Sequence, residues 1–345
     1  MDKIHRIGFA CKWLDRKDQI EKIGSRDECK KYNTGTTTIT WLNRQTVSVA
    51  EQKLWDLMKQ NIESIKLLVS RVGELDNELR MVRLSSDILP AFTEPSWRYF
   101  WRLPDVQRYA EGAFAEVGRV ARDRNVRLSF HPGQFTVLAS DNPEIVERSI
   151  EEFEYHATMA AWLSYGKLFQ DFKINVHISG RAGPAGIRSA YSRLSPEARN
   201  CITIENEENS WGLGSCLELA DIIPIVLDVH HYWCREGQYI QPTDDSYKRV
   251  VESWKGVRPV IHYSYSRDEH FPENFKHDCM PDMKMLLESK CKKQKLRAHS
   301  DFYPNQAVNE YALSFLETAD IMAECKSKNL GSFALYEYAK KIKIF

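Results

Sequence analysis

The sequence contains no apolar run long enough to cross a membrane and no paired cysteine motif. A spanning helix needs roughly 20 apolar residues, and no stretch of the 345-residue chain approaches that length. The N-terminal segment also lacks the apolar core of a signal peptide. The eight cysteines show no CxxC spacing, and some, such as Cys11 and Cys201, lie inside apolar runs. These absences predict a soluble, intracellular protein with reduced thiols.

The chain also lacks an excess of charge of either sign. Lys+Arg and Asp+Glu both number 48, so the formal net charge is zero. A protein that binds polyanions is more often basic overall, so the balance argues mildly against nucleic acid as a partner. It does not exclude nucleic acid, because bound metal ions neutralise their acidic ligands and leave a local positive surface.

One pattern organises the chain, namely short apolar runs that end in a histidine, glutamate or aspartate. Short β-branched runs bounded by polar residues favour buried strands. The runs are Arg127–His131, Lys173–His177, Cys201–Glu205, Ile222–Asp228, Pro259–His262 and Leu296–His299. Further strands are predicted at Arg6–Cys11 and Leu79–Leu84, and amphipathic helices at Val49–Val72, Val106–Asn125, Pro143–Tyr165 and Asn305–Lys328.

Eight alternating strand and helix units predict an α/β fold with a parallel sheet closed into a single (β/α)8 TIM barrel. We expect residues 1–329 to form this barrel and residues 330–345 to be a C-terminal appendage. In such barrels the C-terminal ends of the strands face the active site. The histidines and carboxylates that end the apolar runs are therefore predicted to share one site.

Nitrogen and carboxylate ligands from several strand ends suit Zn, Mn or Fe, and a carboxylate can bridge two ions. Two such ions can clamp the attacking and leaving oxygens of a phosphoryl transfer. A single histidine of this kind is more often a packed core residue, but a whole set at one end of successive strands is not explained by packing. After Asp228, strand alternation favours His230 as its partner, whereas a turn would bring His231 round instead.

Two other positions have less specific surroundings. Glu324 falls in the predicted last helix, where its spacing favours the protein surface. Gln134 and Phe135 follow His131 on a loop above the predicted site. They could form an ordinary turn, or an amide and an aromatic ring that hydrogen bond to and stack on a base.

At these residues the chain resembles the ultraviolet damage endonuclease family, whose members are related to the endonuclease IV barrel. The match runs from the first strand to Lys328 and rests on Arg83–Asp87, His131–Gln134, His177, Ile204–Asn206, Asp228–His231, Ile261–Ser264, Arg297–Asp301 and Asp320–Lys326. The resemblance implies a DNA repair endonuclease that incises duplex DNA 5′ to UV photolesions by metal-assisted phosphodiester hydrolysis. It also implies two or three divalent ions, with Mn²⁺ expected first and Zn²⁺ or Mg²⁺ as alternatives.

The resemblance also implies roles for individual residues. It selects His231 over His230 and makes Glu324 a ligand instead of a surface residue. The implied metal ligands are His131, His177, Glu205, Asp228, His231, His262, His299 and Glu324, with Glu94 where many members carry a histidine. Of these, Glu205, His262 and Glu324 are expected to be catalytic.

Several positions depart from the family pattern. Val260 stands where a lysine, which can be carboxylated to become a ligand, often precedes the seventh-strand histidine, so a third ion is left open. Phe9 and Trp13 stand where family members carry a tyrosine and an asparagine of the damage-probing surface, so we expect stacking to survive there and hydrogen bonding to be lost. Gln134 and Phe135 are the other two predicted lesion-binding residues. His270 and His277, in the segment 266–295, are interpreted as loop residues.

Other functions remain compatible with a metal-binding barrel. They are an abasic-site endonuclease of the endonuclease IV type, a divalent-metal sugar isomerase, and a lesion-binding protein without turnover. The exposed Gln-aromatic loop favours UV-damaged double-stranded DNA over a small sugar. The Gly-rich loop at Ser179–Gly186 lacks both GxGxxG order and a P-loop ending, so we expect no nucleotide cofactor. We also expect no membrane partner and a monomer.

Overall fold

The computed structural model describes residues 4–15, 27–273, 275 and 278–345. Its centre is a sheet of eight parallel strands in the order β6-β5-β4-β3-β2-β1-β8-β7. The strands are β1 (Ile7–Ala10), β2 (Met81–Arg83), β3 (Arg127–Phe130), β4 (Lys173–His177), β5 (Ile202–Glu205), β6 (Ile225–Val226), β7 (Val260–Tyr263) and β8 (Asp320–Ala323). The ends of this order, β6 and β7, meet through a parallel bridge between Asp228 and His262. The predicted (β/α)8 barrel is therefore confirmed.

Helices surround the barrel. They are α1 (Asp27–Lys30), α2 (Ile39–Leu42), α3 (Val47–Val72), α4 (Pro104–Asp123), α5 (Pro143–Trp162), α6 (Gly183–Arg193), α7 (Pro196–Cys201), α8 (Leu213–Leu217), α9 (Val229–Glu236), α10 (Asp245–Ser253), α11 (Met283–Glu288), α12 (Gln306–Leu313) and α13 (Asn329–Lys341). The longest, α3, is capped by the Thr46 hydroxyl and buries Leu54, Met58 and Ile65 along one face. Among the described residues, no helix is both long and apolar enough to cross a membrane.

The last part of the barrel differs from the prediction. The expected strand at Leu296–His299 is wrong, because Lys295–Arg297 forms a 3-10 turn, and the expected helix to Lys328 ends at Leu313. The eighth strand is instead Asp320–Ala323. An apolar run of this length fits a strand or a buried helix equally well, so its periodicity could not decide between them. Glu324 therefore follows a strand end, as the other predicted ligands do.

Alternation along the strands places polar side chains inside the barrel. On β4, Lys173, Asn175 and His177 share one face because successive side chains point to opposite sides of a strand. That face is the interior, since Lys173 Nζ lies 2.9 Å from the His262 Nε2 on β7 across the barrel. The intervening Ile174 belongs to the apolar core on the other face. Polar side chains of the strands therefore line the barrel interior up to the C-terminal end, where the site is expected.

The final helix, α13, packs against the start of the chain. Its Asn329 side chain accepts a hydrogen bond from the Leu14 N–H at 2.8 Å and donates one to the Leu14 carbonyl at 2.9 Å. Leu335 and Tyr336 of the same helix are buried. The predicted boundary at residue 330 falls within this helix, and the division into a barrel and an appendage stays a prediction.

Candidate metal centre

Glu205, the last residue of β5, lies at the centre of a buried cluster. Its side chain is almost completely shielded from solvent. One carboxylate oxygen, Oε2, lies 3.2 Å from His131 Nε2 and 3.5 Å from His177 Nε2. The other, Oε1, lies 3.1 Å from His262 Nδ1 and 3.6 Å from His231 Nδ1. Imidazoles from four places in the chain thus converge on one carboxylate, as a bridging ligand requires.

The donor atoms around Glu205 form overlapping groups of the size that a metal ion needs. Three groups have potential ligand atoms within 4.8 Å of one another: His131, Glu205 and His262; Glu205, Asp228 and His231; and Asp228, His262 and Glu324. Asp228 Oδ2 is buried and has no hydrogen-bond donor in the described part of the chain. A buried carboxylate oxygen without a partner is costly, and a cation would remove that cost. The residues present therefore fit divalent metal ions.

The protonation of the histidines suits the same role. Burial lowers the pKa of His131 to about 4, and burial also lowers the pKa of His262 and His299. Neutral imidazole keeps a lone pair on one nitrogen. The His131 Nδ1–H donates to the Pro132 carbonyl at 3.0 Å, so its lone pair lies on Nε2. That atom lies only 3.2 Å from His177 Nε2, a spacing that calls for a proton or a cation between them.

The segment after β6 is a turn. The turn decides whether His230 or His231 lies beside Asp228. The Asp228 carboxylate caps α9 and accepts a hydrogen bond from the His231 N–H at 2.7 Å. The turn brings His231 Nδ1 to 3.6 Å from the Asp228 carboxylate. His230 points elsewhere, with Nδ1 2.8 Å from the Ser264 hydroxyl and Nε2 3.1 Å from the Ser266 hydroxyl. Both nitrogens of His230 are occupied, and His231 is the member of the cluster.

Charge within the cluster is distributed unevenly. Burial by itself lowers the pKa of His231, but the carboxylates of Asp228, Glu205 and Glu208 raise that pKa to about 9. Burial would raise the pKa of Glu324, but its ion pair with Arg83 holds that pKa well below its usual range. Glu324 Oε1 also lies 3.3 Å from His262 Nδ1. Glu324 is therefore an anionic oxygen donor that faces the same ring as Glu205.

Three predicted ligands, His177, His299 and Glu94, lie outside the three groups. His299 sits at the edge of the centre, where its Nδ1–H donates to the Glu324 carbonyl at 2.9 Å. Glu94 lies in a turn after β2, and its carbonyl accepts hydrogen bonds from two later N–H groups in that turn. None of these three residues belongs to a group of converging donors, and their roles as ligands, like those of the grouped residues, stay predictions. Of the two loop histidines, His270 ends a 3-10 turn, and His277 lies outside the described residues.

The centre has a supporting shell that the sequence patterns did not indicate. Asn175 donates a hydrogen bond to Glu205 Oε2, and its own side-chain carbonyl accepts one from the Thr203 hydroxyl at 2.8 Å. Glu207 Oε1 lies 3.3 Å from His177 Nδ1. Such partners fix the orientation of metal ligands. Strand alternation could have predicted Asn175, because it precedes His177 by two residues and so lies on the same face of the strand.

Comparison with known proteins agrees with this geometry. Residues 5–344 match the family described as "UV-endonuclease UvdE". The chain belongs to that family. The "UV-damage endonuclease" of Neurospora crassa is 30% identical over 243 residues, which cover 63% of this chain and 36% of the fungal protein. The chain thus spans about a third of that relative. The "UV DNA damage endonuclease" of Bacillus cereus (strain G9842) is 25% identical over 321 residues, 89% of this chain and 90% of the relative.

Solved structures share the fold of this UvdE-family chain. The crystal structure of SacUVDE matches with a TM-score of 0.70 at 19% identity and covers 98% of this chain and 99% of its own. Endonuclease IV from Thermus thermophilus matches with a TM-score of 0.50 at 13% identity, covering 97% and 99%. The resemblance to the UV damage endonucleases is confirmed, and endonuclease IV shares the barrel fold.

The predicted lesion-contacting residues of this UvdE-family chain separate into two pairs. Gln134 and Phe135 lie on the loop after β3, and the Phe135 side chain is 85% exposed. Phe9 and Trp13 are 1% and 8% exposed, and their rings pack edge to face at 5.9 Å. Trp13 also packs on Phe333 of α13. Phe9 and Trp13 therefore belong to the core under the outer helices, and only the first pair presents a surface that a base could contact.

A buried lysine amine, that of Lys173, lies below the metal centre of this UvdE-family chain, and burial changes its pKa. Lys173 begins β4 and is completely enclosed, and burial lowers the pKa of its amine to about 7. Val260, where a lysine was expected from the family pattern, packs in an apolar cluster with Ala10, Met81 and Met322. The valine therefore provides no donor atom, and a buried amine is found on a different strand.

Proposed function

We propose that this chain is a metal-dependent endonuclease that incises duplex DNA on the 5′ side of ultraviolet photolesions. Family membership supports the substrate class. The observation that carries the chemistry is Glu205, a buried carboxylate shared by imidazoles from β3, β4, β7 and the turn after β6. Mixed nitrogen and oxygen donors favour two or three ions of the Mn²⁺ type, with Zn²⁺ or Mg²⁺ as alternatives.

Divalent ions at such a site would stabilise the attacking and leaving oxygens of a phosphodiester during hydrolysis. Glu205, His262 and Glu324 are the proposed catalytic residues, because their donor atoms face one another at the centre. Asn175 keeps the Glu205 carboxylate in one orientation through its hydrogen bond. Arg83 keeps Glu324 anionic, so that this oxygen is ready to bind a cation.

Lesion recognition is proposed for the loop that carries Gln134 and Phe135. The loop follows His131 of the metal centre in the chain, and its aromatic ring is exposed to solvent. Enzymes that act on damaged bases take them out of the duplex stack, which leaves a gap that needs filling. An exposed ring can stack in that gap, and an amide can bond to base edges. This leaves phosphate contacts to other parts of the surface.

The test is nicking of supercoiled plasmid. Irradiated and unirradiated plasmid are incubated with the purified chain in Mn²⁺, Zn²⁺, Mg²⁺ or chelator, with Glu205→Gln as the matched control. We expect nicks only in irradiated plasmid, only with metal, and with a 5′ position relative to the lesion on sequencing gels. Equal nicking of a plasmid that carries abasic sites would favour the endonuclease IV type of function. Tight lesion binding without nicking in any metal would refute the enzymatic proposal.

The remaining expectations concern the surroundings of the reaction. An intracellular location follows from a substrate of genomic DNA. A monomer and independence from nucleotide cofactors also stay predictions. Sedimentation of the free chain and nicking in the absence of ATP measure both directly.

A further inference from the structure

The amine of Lys173 lies directly against one of the proposed metal ligands. Its side chain is 3% exposed, and Nζ lies 2.9 Å from His262 Nε2. The opposite nitrogen of the same ring, Nδ1, lies 3.1 Å from Glu205 Oε1 and 3.3 Å from Glu324 Oε1. The imidazole of His262 thus stands between an amine below and two carboxylates above.

Stability does not explain a lysine at this position. Within the described residues, no carboxylate lies within 4.0 Å of Lys173 Nζ, and His262 is the hydrogen-bond partner found there. An enclosed amine without an ion pair costs more free energy than an apolar side chain of the same length. The interior around it tolerates apolar residues, as Val260 and Met322 show. The amine therefore needs another reason for its presence.

We propose that Lys173 is a positioning residue of the metal centre, which holds the His262 ring at Nε2 so that Nδ1 faces Glu205 and Glu324. This role rests on the proposed function, because it gives a hydrogen-bond partner to His262, one of the proposed metal ligands. The terminal torsion of histidine is broad and nearly two-fold, so a ring held by nothing is free to rotate or flip. When Nδ1 binds a cation, Nε2 carries the ring proton and donates it to the Lys173 nitrogen, so this contact fixes both the ring and its tautomer.

The position of Val260 provides a rescue experiment. Val260 precedes His262 by two residues on β7, so both side chains point to the same face of the strand. Its neighbours Ala10, Met81 and Met322 show that this face is the barrel interior. A lysine introduced at position 260 would enter the interior one layer below His262. We expect its amine to reach the ring nitrogen that Lys173 contacts.

The experiment compares Mn²⁺ affinity, measured by competition with a fluorescent chelator, in the unmodified chain, Lys173→Met, Lys173→Val and Lys173→Val with Val260→Lys. We expect both single variants to bind Mn²⁺ about 10- to 100-fold more weakly, as removal of an outer partner of a ligand does. Their thermal unfolding should stay the same or improve. The double variant should recover at least half of the loss on a logarithmic scale. Val260→Lys on its own is the control, because a lysine that became carboxylated there would add a ligand and raise the Mn²⁺ affinity of that variant as well. Recovery in the double variant without a gain in Val260→Lys supports the positioning role, and an equal gain in both overturns it.

The outcomes are distinct. Unchanged Mn²⁺ affinity in Lys173→Met, or a folded double variant as weak as Lys173→Val, overturns the positioning role. If the unmodified chain binds Mn²⁺ but does not nick irradiated plasmid, the proposed function fails. The Mn²⁺ affinities of the variants still test the positioning role of Lys173 in that case. Should the variants not fold, a crystal structure of the Mn²⁺-loaded unmodified chain decides. His262 bound through Nδ1 with Lys173 on Nε2 supports the proposal, and His262 bound through Nε2 overturns it.

Discussion

The barrel has two clusters of charged side chains, one at each end, and they differ in how their carboxylates are paired. At the N-terminal end, which we call the floor, Asp320 meets the guanidinium groups of Arg127 and Arg258, each at 2.7 Å, and that of Arg6 at 3.9 Å. Both Asp320 oxygens accept hydrogen bonds. At the C-terminal end, the metal centre, Asp228 retains a buried oxygen without a donor.

The comparison shows what distinguishes a structural charge cluster from a binding one. On the floor, the chain supplies its own counter-charges, and spare guanidinium N–H groups donate to backbone carbonyls such as that of Ala319. At the metal centre, carboxylates and imidazole lone pairs face one another, with Arg83 as the cation paired to Glu324. The floor carboxylate is fully paired by guanidinium groups, although Arg6 Nε is buried there without a hydrogen-bond acceptor among the described residues. The carboxylates of the centre would need external cations for the same degree of neutralisation.

The largest effect is expected at the metal centre. Glu205→Gln keeps the shape of the side chain but removes the anionic charge shared by four imidazoles. We expect nicking of irradiated plasmid to fall by several orders of magnitude, in line with ~5 kcal/mol or more of lost transition-state stabilisation. The unfolding midpoint serves as the control for folding. Near-normal nicking by a folded variant would contradict the assignment of Glu205.

The complementary change is on the floor. Asp320→Asn leaves three partly buried guanidinium groups without their counter-charge, which costs at most about 3–5 kcal/mol, the figure for a fully buried pair. We expect that loss in the free energy of unfolding in urea, with nicking per folded molecule unchanged. The matched control is Asp221→Asn, which breaks an exposed pair with Arg188 and should change stability little. A loss of nicking without a loss of stability would show that the two ends are coupled.

A smaller contrast separates the adjacent histidines after β6. His231→Ala should lower bound metal, because His231 faces Glu205 and Asp228. His230→Ala should keep the metal and lose about 1–3 kcal/mol of stability, because it leaves the buried hydroxyls of Ser264 and Ser266 without their shared partner. Metal content and urea unfolding of both variants measure the difference. The reverse pattern would assign the ligand to His230.

The smallest expected effect lies on the exposed rim, outside both buried clusters. Gln134→Ala combined with Phe135→Ala should weaken binding to lesion-containing duplex ~10-fold, the loss typical of about 1–3 kcal/mol for a stacked aromatic. Affinity for undamaged duplex and its dependence on salt should stay the same, because phosphate contacts are unaffected. Titration of both duplexes at two salt concentrations measures this. A parallel fall in both affinities would place the loop in general DNA docking.

Much of the fold was predictable because the information is local. Five of the six short apolar runs that end in a histidine or carboxylate mark a strand and its site-facing end, and all but the last predicted strand were confirmed. The run before Glu324 follows the same rule, but the expected helix to Lys328 concealed it. The strand ends also brought His131, Glu205 and His262 together. Their roles as ligands stay predictions that the variants above would test.

The sequence by itself determined the alternation of strands and helices, and with it the end of the barrel where polar side chains collect. Tertiary structure decided which of those side chains meet. The contact between Lys173 and His262 joins β4 to β7, and the pair of Arg83 and Glu324 joins β2 to the end of β8. Phe9, by contrast, is covered by outer helices. Such outcomes depend on distances across the closed barrel, and no periodicity within a strand or helix encodes them.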